Sequence, residues 1–180
     1  MTSSRIAGWT IRIATAHDAV GLSALAERTF RETFSATNTA SDMDAYCATA
    51  FRTDIQQREL EDPATLTLVA ENSSSLVAYV QLVANKGHDA VQARRPIELK
   101  RFYVDSQFHG TPLAPALMRA SNDCAKELGA DVMWLGVWEH NPRAIRFYEK
   151  HGFRIVGEHV FTVGADPQRD LVMSRRLGDD

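Results

Sequence analysis

Residues 97–126 have the pattern of a strand, a tight loop and a helix in direct succession. The strand 97–104 carries apolar residues on both faces, which is typical of a strand inside a sheet. Strict alternation would place Leu99, Arg101 and Tyr103 on one face and Lys100, Phe102 and Val104 on the other. The loop 105–111 contains turn-forming residues, and Pro112 falls in a first helical turn, where its missing N–H removes no helix bond. Such a unit offers free N–H groups and a positive dipole end to an anion, although many units of this kind bind none.

The composition predicts one domain without a nucleic-acid or membrane partner. The chain has 180 residues, of which 44% are hydrophobic, and a net charge of −3, so one sizeable core is expected and no basic footprint is present. Cys47 and Cys124 lack metal or redox spacing and predict reduced, buried thiols, and the scattered histidines predict no metal site. The first residues lack the apolar core of a signal peptide, and no apolar run reaches the ~18 residues of a membrane span. The sequence therefore predicts a cytoplasmic protein.

Strand and helix patterns alternate along the chain, which predicts a single α/β domain over 9–178 after a flexible tail at 1–8. Strand patterns cover 9–13, 65–71, 76–83, 97–104, 132–138, 153–163 and 170–176. Helical patterns cover 15–34, 41–61, 112–128 and 141–151.

The loop 104–114 resembles the acetyl-CoA loop of the GCN5-related N-acetyltransferase (GNAT) superfamily. That loop usually reads Val-Asp-Pro, a short gap, and then Arg/Gln-Gly-x-Gly-x-Gly/Ala. The matching residues are Val104, Asp105, Gly110 and Ala114. The departures are Ser106 for Pro, His109 for Arg or Gln, and Pro112 for the middle Gly. The loop is therefore a degraded copy of the family pattern.

A more specific likeness lies at 141–153, which carries the family pattern Asn-x-x-Ala-x-x-Phe-Tyr-x-x-x-Gly-Phe after a strand-like segment at 131–139. The resemblance covers nearly the whole chain. It implies the GNAT fold, which is an α/β fold with a twisted, mixed but mostly antiparallel sheet of about six to seven strands and about four helices. It also implies an acetyl-CoA-dependent N-acetyltransferase that works by direct attack in a ternary complex.

The resemblance assigns the cofactor, acetyl-CoA, to the central strand, the loop after it and the segment from residue 141. Backbone N–H groups of the loop would hold the pyrophosphate, and an N–H near Val104 would polarise the thioester carbonyl. The expected cofactor-binding residues are Phe102, Tyr103, Val104, His109, Gly110, Thr111, Pro112, Leu113, Ala114, Asn141, Arg143 and Phe147. Asn141 could also cap a helix, and Arg143 could instead be a solvated surface charge.

The same resemblance supplies the catalytic candidates. Glu98, at the start of the central strand, is the first candidate for the general base, because histone-type members carry a glutamate there. Its structural alternative is an ion pair with Lys100 or Arg101, and Glu139 is the second candidate for the base. Tyr148 matches the tyrosine that protonates the leaving sulfur, with core packing as its alternative.

The block 30–51 and the tail 164–173 are similar to polyamine acetyltransferases of the PaiA type. Acidic residues such as Asp42, Asp44, Glu98 and Glu139 would suit a cationic amine, although an Asp in a first helical turn is also a cap residue. The expected partner is therefore a small-molecule amine acceptor, in finer terms a polyamine, and a homodimer is left open. Because the loop is altered, the alternative is a non-catalytic acyl-CoA-binding or sensor protein.

Overall fold

The computed structural model of the chain describes residues 4–6, 8–73 and 75–178. Within these ranges the strands are β1 (Ser4–Ile6), β2 (Trp9–Ile13), β3 (Thr65–Glu71), β4 (Leu76–Ala84), β5 (Pro96–Val104), β6 (Val132–Trp138), β7 (Arg154–Val163) and β8 (Asp166–Arg176). They form one eight-stranded sheet in the order β1-β2-β3-β4-β5-β6-β8-β7. Neighbouring strands run antiparallel except β5 and β6, which are parallel.

Helices cover both faces of the sheet. In the described ranges they are α1 (Ala19–Phe34), α2 (Ala40–Ala50), α3 (Thr53–Glu61), α4 (Leu113–Glu127) and α5 (Pro142–Lys150). On one face, α4 and α5 share a buried apolar cluster with the central strands. On the other face, α1 and α2 complete a second cluster, which includes Leu22, Phe30, Met43, Val69 and Tyr79. Of the helices in the described ranges, none is long and apolar enough to cross a membrane.

This architecture confirms the predicted α/β class and the mixed, mostly antiparallel sheet. The described ranges contain eight strands and five α-helices, against the predicted six to seven strands and about four helices. The additional strand is β1, which lies within the predicted tail 1–8 and pairs with β2. Residues 1–3 and 7 of that tail lie outside the described residues.

Two of the differences from the predicted element boundaries change the connection between neighbouring elements. The predicted helix 41–61 is divided into α2 and α3, because the backbone leaves the helical conformation at Phe51 and Arg52. Strand β8 begins at Asp166 instead of residue 170, because residues 164–165 alone make the turn and Val163 already pairs with Asp166. Gly164 permits this short turn with a φ of +60°, which costs glycine little.

A β-bulge interrupts the pairing of β4 with β5. Arg101 lies opposite Gln81, whereas Leu99 lies opposite Leu82, so Lys100 is an extra residue on β5. A bulge bends its strand and shifts the alternation of side chains by one position.

The bulge changes which side chains of β5 share a face. Leu99 belongs to the same apolar cluster as Phe102 and Val104, on the face covered by α4. Tyr103 lies on the other face, where its ring stacks on Tyr79. The predicted strict alternation, with Leu99 beside Tyr103, is therefore wrong.

The sheet opens between β5 and β6. The two strands pair at Pro96 with Val132, Ile97 with Met133 and Glu98 with Trp134. Beyond these pairs, residues 99–104 stay bonded to β4 and residues 135–138 to β8. Backbone groups of β5 that face β6 are thus left without a partner strand, which is unusual inside a sheet.

Candidate active site

A cavity of about 450 Å³ lies in the gap between β5 and β6. Residues 98–104 and 136–138 of these strands line it. The loop after β5 and the start of α5 contribute to its wall, as do α1, α2, β7 and β8. The gap in the sheet therefore brings together segments that are far apart in the sequence.

The backbone of β5 presents an amide to this gap. The Asp105 N–H donates to Val77 O on β4 at 2.9 Å. Because successive N–H groups of an extended strand point to opposite sides, the Val104 N–H points away from β4 and toward the gap. Val104 also lines the cavity. Its amide is placed to donate to a carbonyl oxygen or an oxyanion.

The loop after β5 leads to free amides at the start of α4. Asp105 organises the loop through two hydrogen bonds. Its Oδ1 accepts one from the Gln107 N–H at 3.1 Å, and its Oδ2 accepts one from Arg28 Nη2 at 2.8 Å. Gly110 has a φ of +78°, a left-handed conformation that glycine adopts readily. Among the described residues, no acceptor is hydrogen-bonded to the N–H of Gly110 or to the N–H of Ala114. Both residues line the cavity. Two such amides at a helix N-terminus suit an anion.

The neighbouring loop residues shape the helix start. The Thr111 N–H donates to Phe108 O at 3.3 Å, and the Leu113 N–H lies 3.4 Å from Thr111 Oγ1. The Leu113 side chain is fully buried, and Pro112 precedes the helix with a φ of −65°. Thr111, Pro112 and Leu113 lie outside the cavity lining. Of the predicted pyrophosphate donors, Gly110 and Ala114 are thus the ones at the cavity.

His109 links β5 to α5. Its Nε2 lies 2.9 Å from Val104 O, and its Nδ1 lies 2.7 Å from Arg143 Nη1. Because a guanidinium only donates, Nδ1 is the acceptor and the proton is on Nε2, which donates to Val104 O. Both ring nitrogens of His109 are engaged, so a contact with phosphate would have to replace one of these bonds. Arg143 keeps further N–H groups at the cavity wall.

Asn141 caps α5 at the edge of the cavity. Its Oδ1 accepts the Ala144 N–H at 3.1 Å, and Pro142 occupies the first helical position. Asn141 and Ala144 both line the cavity. Asn141 therefore has the N-cap role that was predicted as its alternative. The same residue also lines the cavity.

Tyr148 faces the cavity from α5. The residue is 7% exposed, and its ring lies edge-on to Phe102 with centroids 6.4 Å apart. The adjacent Phe147 also packs on Phe102 and lines the cavity. Burial raises the pKa of the Tyr148 hydroxyl well above its ordinary value, so this group stays protonated at neutral pH and can donate a proton.

Glu98 is a partly buried carboxylate at the cavity. Burial raises its pKa above the ordinary value, against the attraction of nearby cations. Lys100 and Arg101, the ion-pair partners that the sequence offered, instead pair with Glu59 of α3. A carboxylate with a raised pKa suits a general base that must take up a proton near neutral pH.

Glu139 has a different setting. It lies outside the cavity lining, and its Oε2 accepts Nη1 of Arg169 at 2.9 Å. Although Glu139 follows β6 directly, its carboxylate is engaged at the surface. The structure thus brings Glu98 and Tyr148 to the cavity and leaves Glu139 outside it.

Asp170, a cavity residue with no predicted role, lies on β8. It is 8% exposed, and its Oδ1 is buried without a hydrogen-bond partner among the described residues. Burial raises its pKa from the ordinary value of 3.8 to about 6. The sequence offers little signal for this residue, because the burial of Gln168 and Asp170 between exposed residues of β8 is visible only in the structure.

An aromatic wall completes the cavity near Asp170. It consists of Phe30, Phe34, Tyr46, Phe51, Trp138 and Phe161. Its rings contact one another, as in the stack of Phe30 on Tyr46 with centroids 4.5 Å apart and the pair Phe34–Trp138 at 5.7 Å. Such a wall accommodates an alkyl chain and attracts cations by its ring faces.

Comparison with known proteins adds a family match. Residues 25–153 match the acetyltransferase (GNAT) family. A relative from Mycobacterium tuberculosis, named an uncharacterized N-acetyltransferase, is 37% identical over 164 residues, which cover 89% of this chain and 98% of the relative.

Solved structures share the fold. The PaiA N-acetyltransferase from Thermoplasma acidophilum, in complex with coenzyme A, matches with a TM-score of 0.75 at 18% identity, over 93% of this chain and 98% of that one. YncA from Salmonella typhimurium, with its cofactor acetyl-CoA, matches with a TM-score of 0.72 at 20% identity, over 96% of this chain and 95% of that one. At these identities the likeness concerns the fold.

The buried carboxyl of Asp170 predicts a pH-dependent loss of stability. Because folding raises its pKa, the folded state binds more protons than the unfolded state between about pH 4 and 6, and stability falls as the pH rises through that range. Asp170→Asn removes this loss and should stabilise the protein by up to about 3 kcal/mol at pH 8, with little gain near pH 4. Chemical unfolding at several pH values measures this difference. The exposed Asp123→Asn is the charge-matched control, and destabilisation by Asp170→Asn at every pH would instead indicate a structural role.

Proposed function

The chain belongs to the acetyltransferase (GNAT) family, and we propose that it transfers the acetyl group of acetyl-CoA to the primary amine of a small-molecule acceptor. The observation that carries this proposal is the cavity in the β5–β6 gap. It combines free backbone donors, a partly buried carboxylate in Glu98 and a protonated hydroxyl in Tyr148. These are the groups that amine acylation by a thioester requires.

The residues at the gap fit acetyl-CoA. The free edge of β5 offers backbone groups to an extended, amide-containing arm, as another strand would. The unbonded amides of Gly110 and Ala114 at the start of α4 suit the pyrophosphate, and Arg143 supplies a nearby positive charge. When bound, acetyl-CoA supplies an activated acetyl group as a thioester.

The chain's own residues would then act in a ternary complex. Glu98 takes a proton from the acceptor ammonium, which leaves a free amine for attack on the thioester carbon. The Val104 N–H stabilises the negative charge that develops on the carbonyl oxygen. Tyr148 would donate its proton to the leaving sulfur as the C–N bond forms and the C–S bond breaks, and the second proton lost by the acylated nitrogen would restore the Tyr148 hydroxyl.

A polyamine is the finer proposal for the acceptor. It is supported by the likeness of the block 30–51 and the tail 164–173 to PaiA-type sequences, and by the two carboxylates, Glu98 and Asp170, in a cavity with an aromatic wall. A cytoplasmic location is proposed with it, which the reduced, buried thiols of Cys47 and Cys124 suit. A homodimer stays a prediction of the sequence.

The alternative, a non-catalytic acyl-CoA-binding protein, predicts a different experimental result. A pure binder has no use for a base and an acid on one cavity. Incubation with acetyl-CoA and a panel of amines, with release of free thiol as the readout, tests the proposal directly. Binding of acetyl-CoA without thiol release from any amine would favour the alternative.

Replacing Tyr148 by Phe tests the proposed acid. Because the hydroxyl acts on the leaving sulfur, Tyr148→Phe should lower kcat by roughly 10²–10³ while the dissociation constant for acetyl-CoA stays the same. Steady-state kinetics and calorimetry measure the two quantities. Unchanged turnover at saturating acetyl-CoA would remove Tyr148 from the mechanism.

Glu98→Gln and Glu139→Gln form a matched pair for the proposed base. An amine acceptor arrives protonated near pH 7, and the rate rises with pH as Glu98 loses its own proton. Glu98→Gln should lower kcat and flatten this rise, whereas Glu139→Gln should keep the wild-type pH profile. The opposite pattern would move the role of base to Glu139.

Two loop variants test the proposed cofactor cradle. Pro112 lies outside the cavity lining, so Pro112→Gly should change the dissociation constant for acetyl-CoA by less than about tenfold. His109→Ala should weaken binding of acetyl-CoA, because the ring that positions Val104 O and the Arg143 side chain is then lost. Calorimetric titration of acetyl-CoA into each variant measures both dissociation constants. If the wild type fails to bind acetyl-CoA and Pro112→Gly binds it, the loop is disabled and the non-catalytic alternative is favoured.

A further inference from the structure

Asp170 places an unsatisfied negative charge at the cavity. Its Oδ1 has no hydrogen-bond partner among the described residues, and its Oδ2 lies 4.0 Å from His159 Nε2. The side chain of a buried carboxylate normally has hydrogen bonds or an opposite charge to offset its lost hydration. Among the described residues, the Asp170 carboxylate has neither a hydrogen bond nor a directly bonded cation. It lines a cavity that a ligand can enter.

The charged neighbours do not neutralise Asp170. Arg101 and Lys100, which also line the cavity, are both paired with Glu59. Burial and the nearby His88 lower the pKa of His159, so its ring is neutral at pH 7. Among the described residues, Lys100 and Arg101 share the carboxylate of Glu59 and Arg143 contacts His109, so none of these lining cations is paired with Asp170.

Gly136 leaves the space through which Asp170 meets the cavity. A Cβ built on Gly136 would lie 3.2 Å from Asp170 Oδ2 and 2.8 Å from the His159 ring. Gly136 itself lines the cavity. A side chain at this position would crowd the carboxylate, so the glycine keeps the approach to Asp170 open.

We propose that Asp170 binds the non-reacting ammonium group of a diamine or polyamine acceptor, while Glu98 receives the proton of the reacting amine. This inference rests on the proposed acetyl transfer and names the residue that would select the acceptor. The methylene chain between the two nitrogens packs on the aromatic wall, whose ring faces also attract the cation. An acceptor with a carboxylate at its far end would be repelled by Asp170.

Matched pairs of amines separate this role from a general one. Initial rates are measured with α,ω-diaminoalkanes and with 1-aminoalkanes of the same chain length, for wild type, Asp170→Asn and the surface control Asp123→Asn. Because a hydrogen-bonded charge pair is lost, Asp170→Asn should raise KM for the best diamine by about 10- to 100-fold. KM for the monoamine and for acetyl-CoA should stay within about threefold, and Asp123→Asn should match the wild type.

A second variant tests access to the carboxylate. Gly136→Ala retains Asp170 but fills the space beside it, so it should raise KM for the diamine by a larger factor than KM for the monoamine. An equal loss of activity toward both amines in Asp170→Asn, or a wild type without preference for diamines, would overturn the proposal.

Binding in the presence of coenzyme A separates failure of this inference from failure of the proposed function. The best diamine is titrated calorimetrically into protein saturated with coenzyme A, where no acetyl group can be transferred. Binding to wild type that is lost in Asp170→Asn supports the role of Asp170 even if no amine is acetylated. Acetylation of monoamines and diamines alike, with equal binding to both proteins, keeps the acetyltransferase and rejects the role of Asp170.

Discussion

The gap between β5 and β6 is the physical constraint on which the site depends. Inside a sheet, a buried backbone group without a hydrogen bond costs about 1–3 kcal/mol, and residues 99–104 of β5 face the gap without pairing to β6. The remaining pairs hold β5 to β4 and β6 to β8, on either side of the gap. An extended ligand with its own amides can satisfy the free edge. The same gap gives Glu98 and Tyr148, the proposed base and acid, access to that ligand.

Among the described residues, an arginine that packs the fold is paired, whereas two carboxylates at the cavity have no directly bonded cation. Arg101, which lies close to the cavity, is offset by Glu59 and contributes to a packed structure. Glu98 and Asp170 have raised pKa values because burial is not offset by a directly bonded cation. Such groups reduce the stability of the folded state when they are ionised, and they are common at functional sites for that reason. A cationic acceptor would supply the missing partner.

Sequence patterns indicated more of the residues with proposed catalytic roles than of those at the proposed acceptor site. The pattern at 141–153 placed Asn141 and Tyr148 on one helix, and the structure brings both to the cavity. The role of His109 was less accessible, because its bonds to Val104 and Arg143 join three separate segments. Asp170 was not detectable from the sequence, because its strand was predicted to begin at residue 170 and its inward-facing position is known only from the structure.

The sequence by itself determined the order of strands and helices, the turn at Gly110 and the cap at Asn141, because these features depend on residues that are neighbours in the chain. Only the tertiary structure decided the separation of β5 from β6 and the bulge at Lys100. Both depend on the register between distant strands, where a shift of one residue turns every following side chain to the other face. The same register brings Asp170 beside Gly136 and so forms the proposed acceptor site from residues that no local pattern connects.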